Sequence, residues 1–135
     1  MKHIKEFSQF SIFEQNIDSE WVGNIDDTTE DNEMYRKVLF TGSKLQLVLM
    51  SIPPGQEIGE EVHEDGDQFL RFEEGKGQVL INDKTYEVEG DWAVTIPAGS
   101  RHNVINTGTT SLKMYSVYAS PVHEPGLVQA ENPNK

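Results

Sequence analysis

The sequence predicts an all-β sandwich or barrel. Between Met34 and Ala119, short apolar or alternating runs are separated by Gly, Pro or Asn-Asp turn residues, at intervals of about eight to twelve residues. No segment of similar length repeats its apolar residues with the period of a helix. Closure of the sheet would remove most of its vulnerable strand edges, which favours a closed arrangement.

Eight strands are expected within this region. In chain order they are MYRKVLF (34–40), KLQLVLMSI (44–52), QFLRFEE (68–74), GQVLI (77–81), TYEVE (85–89), WAVTI (92–96), HNVINT (102–107) and SLKMYSVYA (111–119). Each run ends at residues that favour turns, such as Pro97-Ala98-Gly99 after the sixth.

The 135 residues suffice for one domain. We expect a barrel over residues 34–128, an N-terminal extension over 1–33 that packs on it, and a flexible tail over 129–135. Within the extension, residues 18–33 carry seven carboxylates and no basic residue. This segment is expected to be a solvated loop.

The charge and composition exclude several classes of function. A net charge of −12 makes nucleic acid and anionic membranes poor candidate partners, because both would repel the protein. The absence of cysteine excludes disulfides, thiolate metal sites and cysteine nucleophiles. The N-terminal stretch lacks the apolar run of a secretory signal, and no stretch is long enough for a membrane span. The expected compartment is the cytoplasm.

Four polar residues are candidate metal ligands. Glu61 and His63 are separated by one residue, so in an extended segment both side chains point to one face. The turn residues that follow reset this alternation, which allows Gln68 to face the same way. His102 begins a later strand. If that strand lies beside Glu61 and His63, a carboxylate, two imidazoles and an amide oxygen converge.

Two histidines and one carboxylate suit a divalent first-row ion such as Fe, Mn, Ni or Zn. The alternative is a metal-free barrel in which these groups bond to water and to each other. For Gln68 the alternative is an amide that orients a ligand or a bound water without contacting the metal. Spacing alone does not choose between these interpretations.

The same residues resemble the two motifs of the cupin superfamily. The first motif, a Gly followed by His-x-His, a Glu and a second Gly, corresponds to the stretch from Gly55 to Gly77. The second, Pro-x-Gly-x-x-His-x-x-x-Asn, is matched completely from Pro97 to Asn106. The resemblance extends from about Tyr35 to Val128. It implies a single-domain cupin jelly-roll barrel, also called a double-stranded β-helix.

Two positions depart from the family pattern. Glu61 stands where the first histidine of His-x-His is usual, and Gln68 stands where the glutamate is usual. The usual set of three His and one Glu becomes two His, one Glu and one Gln, so a single negative charge is kept. The resemblance therefore implies that Glu61, His63, Gln68 and His102 are the metal ligands.

A finer resemblance joins the chain to one cupin subgroup. The stretches GEEVHEDGDQFLRFEEGKG and SLKMYSVYASPVHEPG are similar to small cupins related to mannose-6-phosphate isomerases. The resemblance implies a homodimer, and the segment with Phe7, Phe10 and Phe13 is the expected interface strand.

The expected function is that of a metal-dependent enzyme. One divalent ion in the barrel would act on a small organic molecule by oxygenase-like or isomerase-like chemistry. The phosphosugar interpretation is the weaker one, because no phosphate-binding loop or basic cluster is apparent. The alternative is a non-catalytic cupin module that binds or senses a small ligand, with or without metal.

Overall fold

Two antiparallel sheets enclose the core in a computed structural model that describes residues 17–134. Nine strands occur in that range: β1 Arg36–Thr41, β2 Gln46–Ile52, β3 Gln68–Glu74, β4 Lys76–Ile81, β5 Lys84–Glu89, β6 Ala93–Ile96, β7 His102–Asn106, β8 Leu112–Tyr118 and β9 Val128–Gln129. A six-stranded sheet has the order β6-β3-β8-β2-β1-β9, and a three-stranded sheet has the order β5-β4-β7. The predicted all-β jelly-roll is confirmed, and each of the eight predicted runs overlaps one of β1 to β8.

Apolar side chains from both sheets fill the space between them. Phe72 on β3 and Met114 on β8 are fully buried, and Val79 and Val104 from the smaller sheet belong to the same cluster. Removal of this apolar surface from water is the main force that holds the sheets together.

The acidic segment departs from the expected loop: it contains a helix, α1 Ile25–Asp31. The side chain of Asn24 caps it by accepting a hydrogen bond of 3.0 Å from the backbone N–H of Asp27. Asp26 and Asp27 lie in the first turn, where carboxylates interact favourably with the helix dipole. The expectation of a loop was wrong because these acidic residues stabilise a helix N-terminus, and because Thr29 is fully buried against the barrel.

Helix α1 contacts β3 and β8. Beneath it the side chain of Glu73 is only 2% exposed and lies 3.4 Å from the guanidinium of Arg71. The pKa of Glu73 is raised to about 7, mainly by burial. A hydrogen bond and charge repulsion from Asp26 add to the increase, and the positive charge of Arg71 opposes it. The folded protein therefore keeps a proton on this carboxyl up to a higher pH than the unfolded chain does.

The remaining expectations stay predictions. The limits of the extension, barrel and tail are not decided by the structure, and Phe7, Phe10 and Phe13 lie outside the described residues. In the described range, no helix is long and apolar enough to cross a membrane.

Glu73→Gln should change how stability depends on pH. Since the folded-state pKa of Glu73 lies above its ordinary value, its contribution is fully present below about pH 4.5 and is lost as the pH rises towards about 7. The variant has no carboxyl at this position, so its stability should not fall in this way as the pH rises. At about pH 8 its unfolding free energy should exceed that of the wild type by on the order of 1 kcal/mol. Urea unfolding at several pH values measures this difference. Glu74→Gln, at an exposed neighbour, is the control, and equal pH profiles for all three proteins would contradict the assignment.

Candidate metal centre

The backbone between the second and third strands is aligned with β7. Glu61 donates its N–H to the carbonyl of His102 at 2.8 Å, and His102 donates back to the carbonyl of Glu61 at 2.9 Å. Residues that exchange two such bonds lie directly opposite each other in an antiparallel pair. The condition on which the sequence argument depended, that the strand of His102 lies beside Glu61, is therefore met.

Three of the four predicted ligands come together at this pairing. A carboxylate oxygen of Glu61 lies 3.4 Å from Nε2 of His63 and 3.9 Å from Nε2 of His102. The candidate ligand atoms of all three residues lie within 4.8 Å of one another. The His102 side chain is 4% exposed, so the group lies inside the barrel with its more open side at Glu61 and His63.

Local hydrogen bonds orient His102. Its Nδ1–H donates to the carbonyl of Ser100 at 3.0 Å in the tautomer that this contact favours. In that tautomer the lone pair of Nε2, which lies 3.9 Å from a Glu61 carboxylate oxygen, has no hydrogen-bond partner among the described residues. A backbone bond of this kind is the usual way in which a metal-ligating imidazole is held in position.

The turn before β7 is fixed to the loop that carries His63. Gly99 adopts a positive φ of 84°, a conformation that glycine accepts without strain. Its N–H donates to the carbonyl of His63 at 2.9 Å, and the N–H of Ala98 donates to the carboxylate of Asp67 at 2.9 Å. The turn and the loop therefore position His63 and His102 as one unit.

Gln68 begins β3 and is paired in register with Tyr118 on β8. Its side chain is buried, and Nε2 donates to the hydroxyl of Ser116 at 3.3 Å. Its Oε1 is buried and has no hydrogen-bond partner among the described residues. The amide is thus held by its nitrogen with its oxygen available, and its role as a ligand stays a prediction.

Three side chains that the sequence reasoning did not assign to the centre also lie there: Arg36, Tyr118 and His123. A terminal nitrogen of Arg36 lies 4.0 Å from the Glu61 carboxylate. The Tyr118 ring lies 5.4 Å from the rings of both His63 and His123. Strand alternation could have indicated Arg36 and Tyr118. Arg36 lies on the inward face of β1, together with Val38. Tyr118 lies on the inward face of β8, together with Met114. His123 lies in a loop without such alternation, although it belongs to the stretch SLKMYSVYASPVHEPG that carries the finer resemblance.

The electrostatics of the centre keep Glu61 ionised. Burial alone would raise the pKa of Glu61, but the adjacent His63 and the charges of Arg36 and His102 outweigh it, so the pKa is lowered. Burial, together with the Arg36 charge, lowers the pKa of His123 to about 4. Burial and the Glu61 charge raise the pKa of Tyr118. At neutral pH the centre thus holds one carboxylate, one guanidinium, a neutral His123 and a protonated phenol.

The donor set fits a divalent first-row metal ion. In the part of the chain that the structure describes, Nε2 of His63 and Nε2 of His102 are buried without a hydrogen-bond partner, a costly arrangement for polar atoms unless something else binds them. An ionised carboxylate lies beside them. Such an ion would accept the lone pairs of both nitrogens and one carboxylate oxygen. The site therefore supports a bound metal ion in general and does not specify which metal.

Comparison with known protein families identifies the family of this chain. Residues 48–118 match the model of the Cupin domain family. This chain belongs to the cupin family. The match runs from within β2 to the end of β8 and includes every predicted ligand of this cupin.

Relatives of this cupin occur in bacteria and a virus. YrkC of Bacillus subtilis (strain 168) is 45% identical over 80% of this chain and 61% of that protein, so the chain spans about three fifths of YrkC. L612 of Acanthamoeba polyphaga mimivirus is 36% identical over 84% of this chain and 73% of that protein. The crystal structure of BH2720 from Bacillus halodurans is 47% identical, with a TM-score of 0.81 over 83% of this chain and 89% of that one.

A more distant structural neighbour is a predicted oxalate decarboxylase from Thermotoga maritima. It is 25% identical, with a TM-score of 0.54 over 56% of this chain and 66% of that one. These comparisons confirm the cupin superfamily, whereas the finer assignment to the mannose-6-phosphate isomerase-like subgroup stays a prediction.

Replacement of the ligands should weaken metal binding in a defined order. Glu61→Gln removes the one charged ligand and should lower the affinity for zinc by more than about tenfold, measured by isothermal titration calorimetry. Gln68→Ala should cost less, because a neutral amide contributes less than a carboxylate to the binding of a cation. Glu60→Gln, at an exposed residue paired with Arg101, should leave the affinity unchanged. The reverse order for Glu61 and Gln68 would show that the ligands are misassigned.

Zinc affinity should also fall in acid. Protons compete with the metal ion for the imidazole nitrogens of His63 and His102, because only a neutral imidazole can bind metal. Titrations between about pH 8 and pH 5 should show progressively weaker binding. Equal affinity at the two ends of this range would argue against both histidines as ligands.

Proposed function

We propose that this cupin is a mononuclear metal enzyme of the non-haem iron(II) oxygenase type that acts on a small organic molecule. The observation that supports it is the set of two histidines and one carboxylate, His63, His102 and Glu61, with ligand atoms within 4.8 Å of one another. This combination with open coordination positions is typical of iron(II) oxygenases. A bound iron(II) would supply Lewis acidity and a site for dioxygen.

The protein residues would hold and shape this centre. His102 is fixed by Ser100, and Gln68 offers an amide oxygen as a fourth ligand or as a hydrogen-bond acceptor for bound water. His123, which burial keeps neutral above about pH 4, is available to accept a proton from a substrate. Tyr118 keeps its proton over the physiological range because burial raises its pKa, so it acts as a hydrogen-bond donor.

Substrate access has two candidate routes. A groove of about 410 Å³ runs along residues 56–61 and ends at Glu61, with Asn132 and Asn134 on its far wall. A cavity of about 380 Å³ lies against His63 and Tyr118. Both volumes suit a small molecule.

Isomerisation of a sugar phosphate is supported less well. It requires a cationic cluster for the phosphate, whereas among the described residues the charges acting on Glu61 come from Arg36 and the two histidines. The homodimer expected from the resemblance, with the N-terminal segment as its interface, remains part of the proposal.

Metal loading followed by oxygen uptake tests this function. Protein reconstituted with iron(II) without oxygen should hold about one ion per chain by elemental analysis, and His102→Ala should hold far less. The loaded protein should consume dioxygen when small diketones, phenols or 2-oxo carboxylates are supplied, and the zinc-loaded protein should not. Iron at one per chain with no uptake across such a panel would favour the non-catalytic ligand-binding module. A failure to bind any divalent ion would overturn the metal centre itself.

A further inference from the structure

The interior beside the candidate metal centre contains a buried positive charge. The Arg36 side chain is 10% exposed and faces inward from β1, next to Val38 of the core. Its guanidinium packs over the Tyr35 ring, with Cζ 5.0 Å from the ring centroid. A charge in such surroundings is costly unless it is paired and hydrogen-bonded.

The described residues pair this charge only in part. One terminal nitrogen donates to the side-chain oxygen of Gln129 at 2.7 Å, which is a neutral acceptor. The other lies 4.0 Å from the Glu61 carboxylate, beyond hydrogen-bonding distance. Nε is buried and has no partner anywhere in residues 17–134. The guanidinium therefore keeps unused donors inside the barrel.

A bound metal ion would increase the imbalance. The carboxylate of Glu61, 4.0 Å from Arg36, would then face three positive charges, two from a divalent ion and one from Arg36. The interior would carry an excess of positive charge although the whole chain has a net charge of −12. An anion is the ligand that this arrangement attracts.

We infer that Arg36 is a specificity-determining residue that selects small carboxylates for the candidate metal centre. The planar fork of a guanidinium matches a carboxylate and bonds it with charge assistance. Glu61, whose carboxylate lies 4.0 Å from Arg36, also lines the groove along residues 56–61, so this charge lies next to one of the two candidate access routes. The inference rests on the proposed function for the identity of the site, and names the substrate class that the site accepts.

The test compares two ligands of nearly equal shape, pyruvate and its neutral amide pyruvamide. Their affinities are measured by isothermal titration calorimetry on zinc-loaded protein, because zinc has no redox chemistry to consume them. The wild type should bind pyruvate at least about tenfold more tightly than pyruvamide. Arg36→Met should reduce that ratio to about threefold or less, and Arg36→Lys, which keeps the charge without the fork, should fall between.

Arg101→Met is the matched control, since Arg101 is half exposed and pairs with Glu60 and Asp83 on the surface. It should keep the wild-type ratio. The proposal is overturned if Arg36→Met keeps the pyruvate preference, or if the wild type binds zinc at one per chain but shows no preference.

Stability distinguishes a substrate role from a structural one. Loss of a partly paired buried charge to an apolar side chain of similar length should leave the metal-free protein about as stable as the wild type. A large loss of melting temperature with an unchanged pyruvate preference would make Arg36 purely structural and would overturn the proposal.

The metal centre and the Arg36 proposal can fail separately. If no zinc binds, the proposed function fails, and the same titrations on chelator-treated protein still decide the role of Arg36. A preference for pyruvate there that disappears in Arg36→Met supports the inference. The absence of a preference in that protein overturns it.

Discussion

The pair of backbone hydrogen bonds between Glu61 and His102 is the constraint on which the candidate centre depends. It joins two segments that are 41 positions apart in the chain, counted from residue 61 to residue 102, and brings a carboxylate opposite an imidazole. The Gly99 and Asp67 bonds then hold the two loops in one arrangement. Because these bonds belong to the backbone, the positions of Glu61 and His102 relative to each other do not depend on a bound ion, and such preorganisation lowers the entropic cost of binding.

Charge is arranged differently inside the barrel and on its surface. The chain is strongly acidic overall, yet its interior contains Arg36 and two imidazoles around a single carboxylate. Burial keeps His123 neutral and Tyr118 protonated, so the site has little negative charge of its own. A surface that repels polyanions and an interior that attracts a small anion are compatible, because solvent screens the fields of surface charges much more than those of buried charges.

The fold was predictable where local signals agreed. Turn residues and short apolar runs located β1 to β8, and the complete Pro97–Asn106 motif identified the position of His102. Helix α1 was not predicted, because acidic residues are equally typical of a solvated loop and of a helix N-terminus. Only the burial of Thr29 against the barrel distinguishes the helix from the loop. On β2, apolar residues occupy both faces, so the sequence could not tell that Val48 and Met50 rather than Leu47 belong to the core cluster.

The sequence by itself determined the family of folds and three residues of the candidate centre, since strand alternation and motif spacing are local properties of the chain. The tertiary structure alone decided that Arg36, Tyr118 and His123 surround that centre. Arg36 is 82 positions from Tyr118, counted from residue 36 to residue 118, so no short-range pattern links it to Tyr118 and His123. Their charge states depend on burial and on neighbours brought together by folding, which is a property of the enclosed space and not of any one segment.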